Sequence, residues 1–302
     1  MHTMLAISAL LVASGPFEPG DHRRSVRVEN RMRSYLMHVP PSYNGSTSLP
    51  LVLAFHGGGT NERWMANFSG LNEKADDAGF IVVYPRGSGT NHRVLFWNGG
   101  NCCGYAEQRG IDDVAYVRAL LDDLPSVLRI DDKRIYVTGM SNGAIMAYRL
   151  ASDLSDRIAA VAAVGGPMGT ESCDPKRPVP VIHFHGTDDP FVPFEGGLAE
   201  KNITDTKFYS VEHSIQAWVR ANHCPPEPKI TSFPDEAEDG TRVIRKVYGP
   251  GIRGSEVVLF VIEGGGHTWP GRKTYWRFLG TSTEDISAND LMWEFFEKHP
   301  MR

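Results

Sequence analysis

One five-residue segment constrains this chain more than any other. Gly139-Met140-Ser141-Asn142-Gly143 stands between a β-branched run at 134–138 and a helical pattern at 144–154. A strand that passes directly into a helix leaves room only for a sharp bend. Glycines two positions either side of the serine let neighbouring backbone come close. A serine at such a bend is expected in strained backbone, with its hydroxyl projected from the end of a sheet. The helix N-terminus beneath it favours developing negative charge.

The rest of the chain agrees with a sheet of that kind. Short apolar runs at 51–55, 80–84, 158–164, 181–184 and 257–262 alternate with amphipathic stretches at 112–128, 144–154, 211–222 and 286–298. The alternation predicts an α/β fold, a mostly parallel central sheet with helices on both faces. Residues 34–39 alternate like a half-buried strand that Pro40-Pro41 ends, and Pro125 should shorten the helix in which it falls. Residues 225–255 are rich in Pro, Gly and charge and read as a hairpin or loop insertion. The expected organisation is one α/β domain over 22–302, preceded by a signal-like segment and linker over 1–21.

Composition excludes several classes of function. Hydrophobic residues make up 41% and charged residues 22%, which suits a globular chain rather than a disordered or membrane one. A net charge of −5 without a long basic run offers nucleic acid no electrostatic footprint. Arg23, Arg24, Arg27, Arg31 and Arg33 read as a solvated face near the first strand. Residues 5–12 are apolar and Ala13-Ser14-Gly15 follow, like the core and cleavage site of a secretory signal, though without a basic start. The stretch is too short for stable membrane insertion. The expected location is secreted or periplasmic.

Further motifs follow the other core runs. His56-Gly57-Gly58-Gly59 comes after 51–55, where side-chain-free backbone can offer N–H groups to an oxyanion. The expected donors are the N–H groups of Gly58 and Asn142. His185-Gly186-Thr187-Asp188-Asp189-Pro190 follows 181–184, and Gly264-Gly265-Gly266-His267 follows 257–262. Among 11 histidines, His267 stands out because a glycine loop after the last core run can aim its ring back at the serine. The chain order serine, acid, histidine is that of α/β-hydrolases. Asp189 is the expected acid, with Asp188 as its rival and Glu263 a more remote one. Trp97, Trp269, Tyr275 and Trp276 are candidates to line a substrate pocket, Trp97 and Trp269 foremost. Asp112-Asp113 reads as a helix cap rather than a metal site. No metal and no cofactor is implied. Cys102-Cys103 can either close a disulfide or remain two buried thiols.

Together these segments resemble the polyhydroxybutyrate-depolymerase-like esterases, a group that includes feruloyl and acetyl xylan esterases. The resemblance covers roughly residues 22–300 and rests also on Phe96-Trp97-Asn98, Cys102-Cys103-Gly104, Ile111-Asp112-Asp113-Val114 and Trp293-Glu294-Phe295-Phe296. It implies Ser141 as nucleophile, His267 as base and Asp189, which follows His185-Gly186 after two intervening residues, as acid. Relatives of this kind often pair a cysteine like Cys224 with a later one. No cysteine follows Cys224 here, so it pairs with Cys173 or the adjacent pair, or stays free. Relatives that act on solid polyester carry a separate binding domain, for which 302 residues leave no length. The expected substrates are therefore soluble hydroxycinnamoyl or acetyl esters, free or linked to polysaccharide. Polyester hydrolysis, peptidase activity with the same residues, and a non-catalytic binding module are the alternatives. Oligomeric state is not legible.

Overall fold

The structure, a computed structural model, describes residues 17–201, 204–273 and 276–302. The signal-like segment at 5–12 and Tyr275 lie outside the described residues.

Ten strands form one sheet among the described residues. In chain order they are β1 (Gly20–Val28), β2 (Arg31–Val39), β3 (Leu49–Phe55), β4 (Ile81–Pro85), β5 (Ile130–Met140), β6 (Ala160–Val164) and β7 (Val181–Gly186). After the short β8 (Gly197–Leu198) and β9 (Lys207–Phe208), which pair apart, come β10 (Lys229–Ser232), β11 (Arg242–Tyr248) and β12 (Val257–Glu263). The sheet order is β1-β2-β4-β3-β5-β6-β7-β12-β11-β10. The run from β4 to β12 is parallel, and antiparallel pairs close both ends. The helices are α1 (Glu62–Ser69), α2 (Leu71–Ala78), α3 (Gly104–Gln108), α4 (Asp113–Asp123), α5 (Asn142–Asp153), α6 (Val211–Ala221) and α7 (Ala288–Lys298).

Central strands are buried on both faces, so they read as continuous apolar runs, and their alternate residues feed two cores. Leu51, Leu53, Phe55, Val137, Val161 and Leu259 meet α4, α5 and α6 on one face. Val52, Ala54, Ala162, Phe184 and Phe260 meet Leu71, Ala75, Met292 and Phe296 on the other. At roughly 1.5–3 kcal/mol per fully buried large apolar side chain, these two layers supply the main stabilisation of the sheet. Helix ends follow local chemistry. Asn61 accepts from the N–H groups of Arg63 and Trp64 at the start of α1, and Gly70 ends it at φ 64°. Pro125 follows the end of α4, within a 3-10 turn at Leu124–Ser126.

One expectation is met in its hairpin form and one changes. The segment 225–255 contributes β10 and β11, a hairpin that extends the main sheet by pairing with β12. The basic cluster near the first strand is not uniformly solvated. Arg33 reaches the buried Asp113 at 2.8 Å, and Arg23 and Arg86 both reach the buried Glu62, at 2.9 and 2.8 Å. β1 itself begins at Gly20, two residues before the expected domain start, in a polar sequence typical of a sheet edge. Among the described residues, no helix is long and apolar enough to cross a membrane.

Candidate active site

Four loops leave the C-terminal ends of parallel strands and meet over the sheet, where open α/β sheets place their ligands. Ser141 follows β5 and opens α5 at φ 58° and ψ −124°, a backbone region costly for a residue with a side chain. Its N–H donates to Val164 O at 2.8 Å, which ties the bend to the end of β6. The flanking glycines are required sterically. A Cβ on Gly139 would run into the Gly143 carbonyl, and one on Gly143 into the Phe55 carbonyl.

His267 lies in the loop after β12, and its Nδ1 donates to Asp189 Oδ2 at 2.6 Å. Asp189 Oδ1 accepts from the N–H groups of Phe191 and Val192, both at 2.8 Å. Burial alone would raise the Asp189 carboxyl, but the adjacent His267 imidazole, His185 and the Val192 N–H together hold the group below its ordinary value. Asp188 is exposed and accepts from Thr187 Oγ1 instead, and Glu263 is exposed at the C-terminal end of β12. Of the three acids considered, Asp189 is the one placed against the ring.

A buried polar chain stands behind this acid. His185 Nε2 donates to Val192 O at 2.8 Å, which leaves His185 Nδ1 as an acceptor. His183 Nε2, 3.0 Å away, must then donate, and His183 Nδ1 must accept from Tyr148 OH at 2.8 Å. The chain is satisfied only when both imidazoles are neutral. Burial, the larger cause, and their mutual proximity lower His183, and burial lowers His185.

Ser141, Asn142, His267, Gly57 and Gly58 line one cleft of about 290 Å³. Its walls are Trp64, Phe68, Phe96, Phe191, Phe208, Trp276 and Phe278, and His267 is the sole ionisable side chain among the described lining residues. Trp64 stacks on Phe68 at 4.2 Å between ring centroids and on Trp276 at 6.1 Å. An uncharged, flat group suits such walls, whereas a charge would be desolvated there without a partner.

The two tryptophans expected foremost in this wall stand elsewhere. Trp97 is 0% exposed and edge-on to Phe55 in the core. The segment bridges to Ser88 in extended conformation, so adjacent side chains take opposite sides: Phe96 faces the cleft and Trp97 the core. Trp97 Nε1 donates to His56 O at 3.0 Å, its N–H donates to Asn142 Oδ1 at 2.7 Å, and its carbonyl accepts from Asn142 Nδ2 at 3.0 Å. It joins the two loops that carry Gly58 and Asn142 rather than lining the cleft. Trp269 is likewise buried, in the opposite core, with Nε1 donating to Asn289 Oδ1 at 2.9 Å. Trp276 does line the cleft. Trp64 and Phe68 escaped the sequence reading, although their spacing of four after the capping residue Asn61 puts them on one helix face. Cys102 and Cys103 form a disulfide with Cys103 at the cleft, while Cys173 and Cys224 are free thiols.

Comparison with known proteins accords with this arrangement. Residues 33–192, just over half of the chain, match the family described as esterase PHB depolymerase. NocK of Nocardia uniformis subsp. tsuyamanensis, a candidate esterase, is 30% identical over 287 residues, spanning 90% of this chain and 81% of that protein. Feruloyl esterase B of Piromyces equi is 28% identical over 257 residues, spanning 82% of this chain but only 45% of that longer protein. The acetyl xylan esterase from Aspergillus awamori shares the fold with a TM-score of 0.62 at 15% identity, over 91% of this chain and 99% of that one. The sheet order, the strand-end loops and the match over 33–192 together place this chain in the esterase PHB depolymerase family of α/β-hydrolases.

Proposed function

We propose that this chain hydrolyses soluble esters of aromatic, hydroxycinnamoyl-type acids, with Ser141 as nucleophile, His267 as base and Asp189 as the acid that orients the base. Membership of the family makes it a carboxylic ester hydrolase. The single observation that carries the finer reading is the aromatic cleft above Ser141, in which His267 is the one ionisable lining side chain among the described residues. A relative that carries the name feruloyl esterase supports the same substrate class.

In the proposed reaction Ser141 Oγ attacks the ester carbonyl while its proton passes to His267 Nε2. The charge on the former carbonyl oxygen is met by the N–H groups of Gly58 and Asn142, neither of which has an acceptor among the described residues. Collapse of the tetrahedral intermediate expels the alcohol, which takes the proton from His267. Water then attacks the acyl-enzyme by the same route in reverse. Asp189 keeps the imidazole in the tautomer that leaves Nε2 free to accept. We place the protein in an oxidising compartment, secreted or periplasmic, on the signal-like residues 5–15 and the Cys102–Cys103 disulfide.

The test pairs active-site labelling with a substrate series. A fluorophosphonate should label the wild type at one site per chain and leave Ser141→Ala unlabelled. The same variant should lose about 10⁴-fold or more in kcat on methyl ferulate while keeping its fold by circular dichroism. Near wild-type turnover in Ser141→Ala would overturn the nucleophile. A kcat/KM for aliphatic esters or a polyester emulsion above that for methyl ferulate would overturn the acyl class alone.

A further inference from the structure

Three donors converge on one carbonyl at the edge of the cleft. Gly57 O accepts from Thr60 Oγ1 at 2.6 Å, from His56 Nδ1 at 2.9 Å and from Thr60 N–H at 3.2 Å. The far side of the His56 ring settles its tautomer. Gly87 N–H donates to Nε2 at 3.0 Å, so the single proton of a neutral ring is on Nδ1. The preceding carbonyl, that of His56, is held in turn by Trp97 Nε1.

The peptide so held is the one whose nitrogen belongs to Gly58. It is not among the cis peptides, so its C=O and N–H point in opposite directions from one rigid plane. Fixing the carbonyl therefore fixes the N–H. Without that hold, a run of three glycines would let the plane rotate at little cost. Gly57 and Gly58 both line the cleft, and Gly57 lies so near Ser141 that an added Cβ would be 3.5 Å from the serine Cβ. Gly58 N–H has no acceptor among the described residues, although every other feature of its peptide is engaged.

We propose that Thr60, acting with His56, is a positioning residue for the oxyanion: its hydroxyl holds the Gly57–Gly58 peptide so that the Gly58 N–H faces the negative oxygen of the tetrahedral intermediate. The inference rests on the reading of Ser141 as nucleophile and Gly58 as donor. Two effects follow from the geometry. The donor is already in place when charge develops, so no reorganisation is needed at that moment. Hydrogen bonds to the carbonyl also polarise the peptide and strengthen the N–H at its other end. Both effects act on the charged oxygen more than on the neutral ester, so they belong in kcat rather than KM.

The experiment compares wild type, Thr60→Val and Thr60→Ser on methyl ferulate, with a trifluoromethyl ketone as transition-state analogue. Thr60→Val keeps shape and the backbone donor while removing the hydroxyl. It should lower kcat about 10-fold, leave KM within about twofold and weaken the ketone by the same factor as kcat/KM. Thr60→Ser should restore kcat to within about twofold of wild type. Fluorophosphonate labelling at one site per chain in all three proteins, absent in Ser141→Ala, shows that the nucleophile reading stands whatever the kinetics give. A kcat for Thr60→Val within twofold of wild type would overturn the proposal. So would a loss that Thr60→Ser fails to restore, or a loss carried by KM alone, which would make Thr60 a wall of the cleft and nothing more.

Discussion

The floor and the rim of the cleft are built by different physics. On the floor, Asp189, Asn142 and His56 are buried and each is held by at least two directional hydrogen bonds. At the rim, Trp276 is 44% exposed and Phe278 52% exposed, and the two rings stack on one another. Hydrogen bonds fix atoms to a few tenths of an ångström, whereas stacking tolerates sliding and tilt. The contrast teaches where each demand on an esterase is met. In the reaction we propose, moving a proton and holding an oxyanion need fixed atoms, which the floor supplies. On the same proposal, choosing among acyl groups needs area and shape, which the rim offers.

The comparison breaks most visibly at the acid. Asp189→Asn should lower kcat by about 10³-fold or more, because an amide in that place no longer selects the productive tautomer of His267. Asp188→Asn, one residue away and exposed, should stay within a few-fold of wild type. Equal losses in the two variants would show that the geometry at the acid does not govern turnover.

A second test concerns the stability of the floor. Burial holds His56 neutral and pushes it down to about 4 from 6.5, and burial also lowers His183 and His185. A base lowered on folding binds fewer protons in the folded than in the unfolded state, so its stabilisation is complete above the unfolded value and fades as pH falls toward the folded one. For His56 alone this costs about 2 kcal/mol between pH 7 and pH 5, above the range where carboxylates titrate. Urea unfolding at the two pH values should show that loss or more, and His56→Asn should show a smaller difference. A stability independent of pH across this window would mean that the floor admits charge, contrary to its burial.

The smallest effect is expected at the rim. Trp276→Ala and Trp64→Ala should each lower the ratio of kcat/KM for methyl ferulate to that for a short aliphatic ester by about five-fold, the equivalent of about 1 kcal/mol. Trp269→Phe, in the opposite core, should leave that ratio unchanged whatever it does to stability. An unchanged ratio in both rim variants would detach the aromatic wall from acyl choice and leave the floor untouched.

Much of the fold was legible because central parallel strands are buried on both faces, so 51–55, 80–84, 158–164 and 257–262 stand out as apolar runs. The bend at Ser141 was legible for a related reason, since its two glycines answer a local steric demand. β1 was not, because only Val26 in it is buried and its remaining polar residues look like surface. The burial of Arg33 is not legible either, because its partner Asp113 lies 80 positions away. Nearness along the chain to loops expected to flank Ser141, or to His267, does not put Trp97 and Trp269 in the cleft, because a single step along extended backbone reverses the side a residue faces.

What the sequence by itself determined, then, are features set by neighbours: strand-to-helix bends, helix caps such as Asp112, and the order in which Ser141, Asp189 and His267 leave the sheet. The tertiary structure decided everything that depends on residues far apart meeting. It chose Asp189 over Asp188, gave the cleft its walls from Trp64, Phe191 and Trp276, and turned Trp97 into the tie between two loops. Local rules act through dihedral angles and bonds a few residues long, and these are written in order along the chain. Contacts across tens or hundreds of residues depend on the register of the sheet, which forms only when the whole core packs.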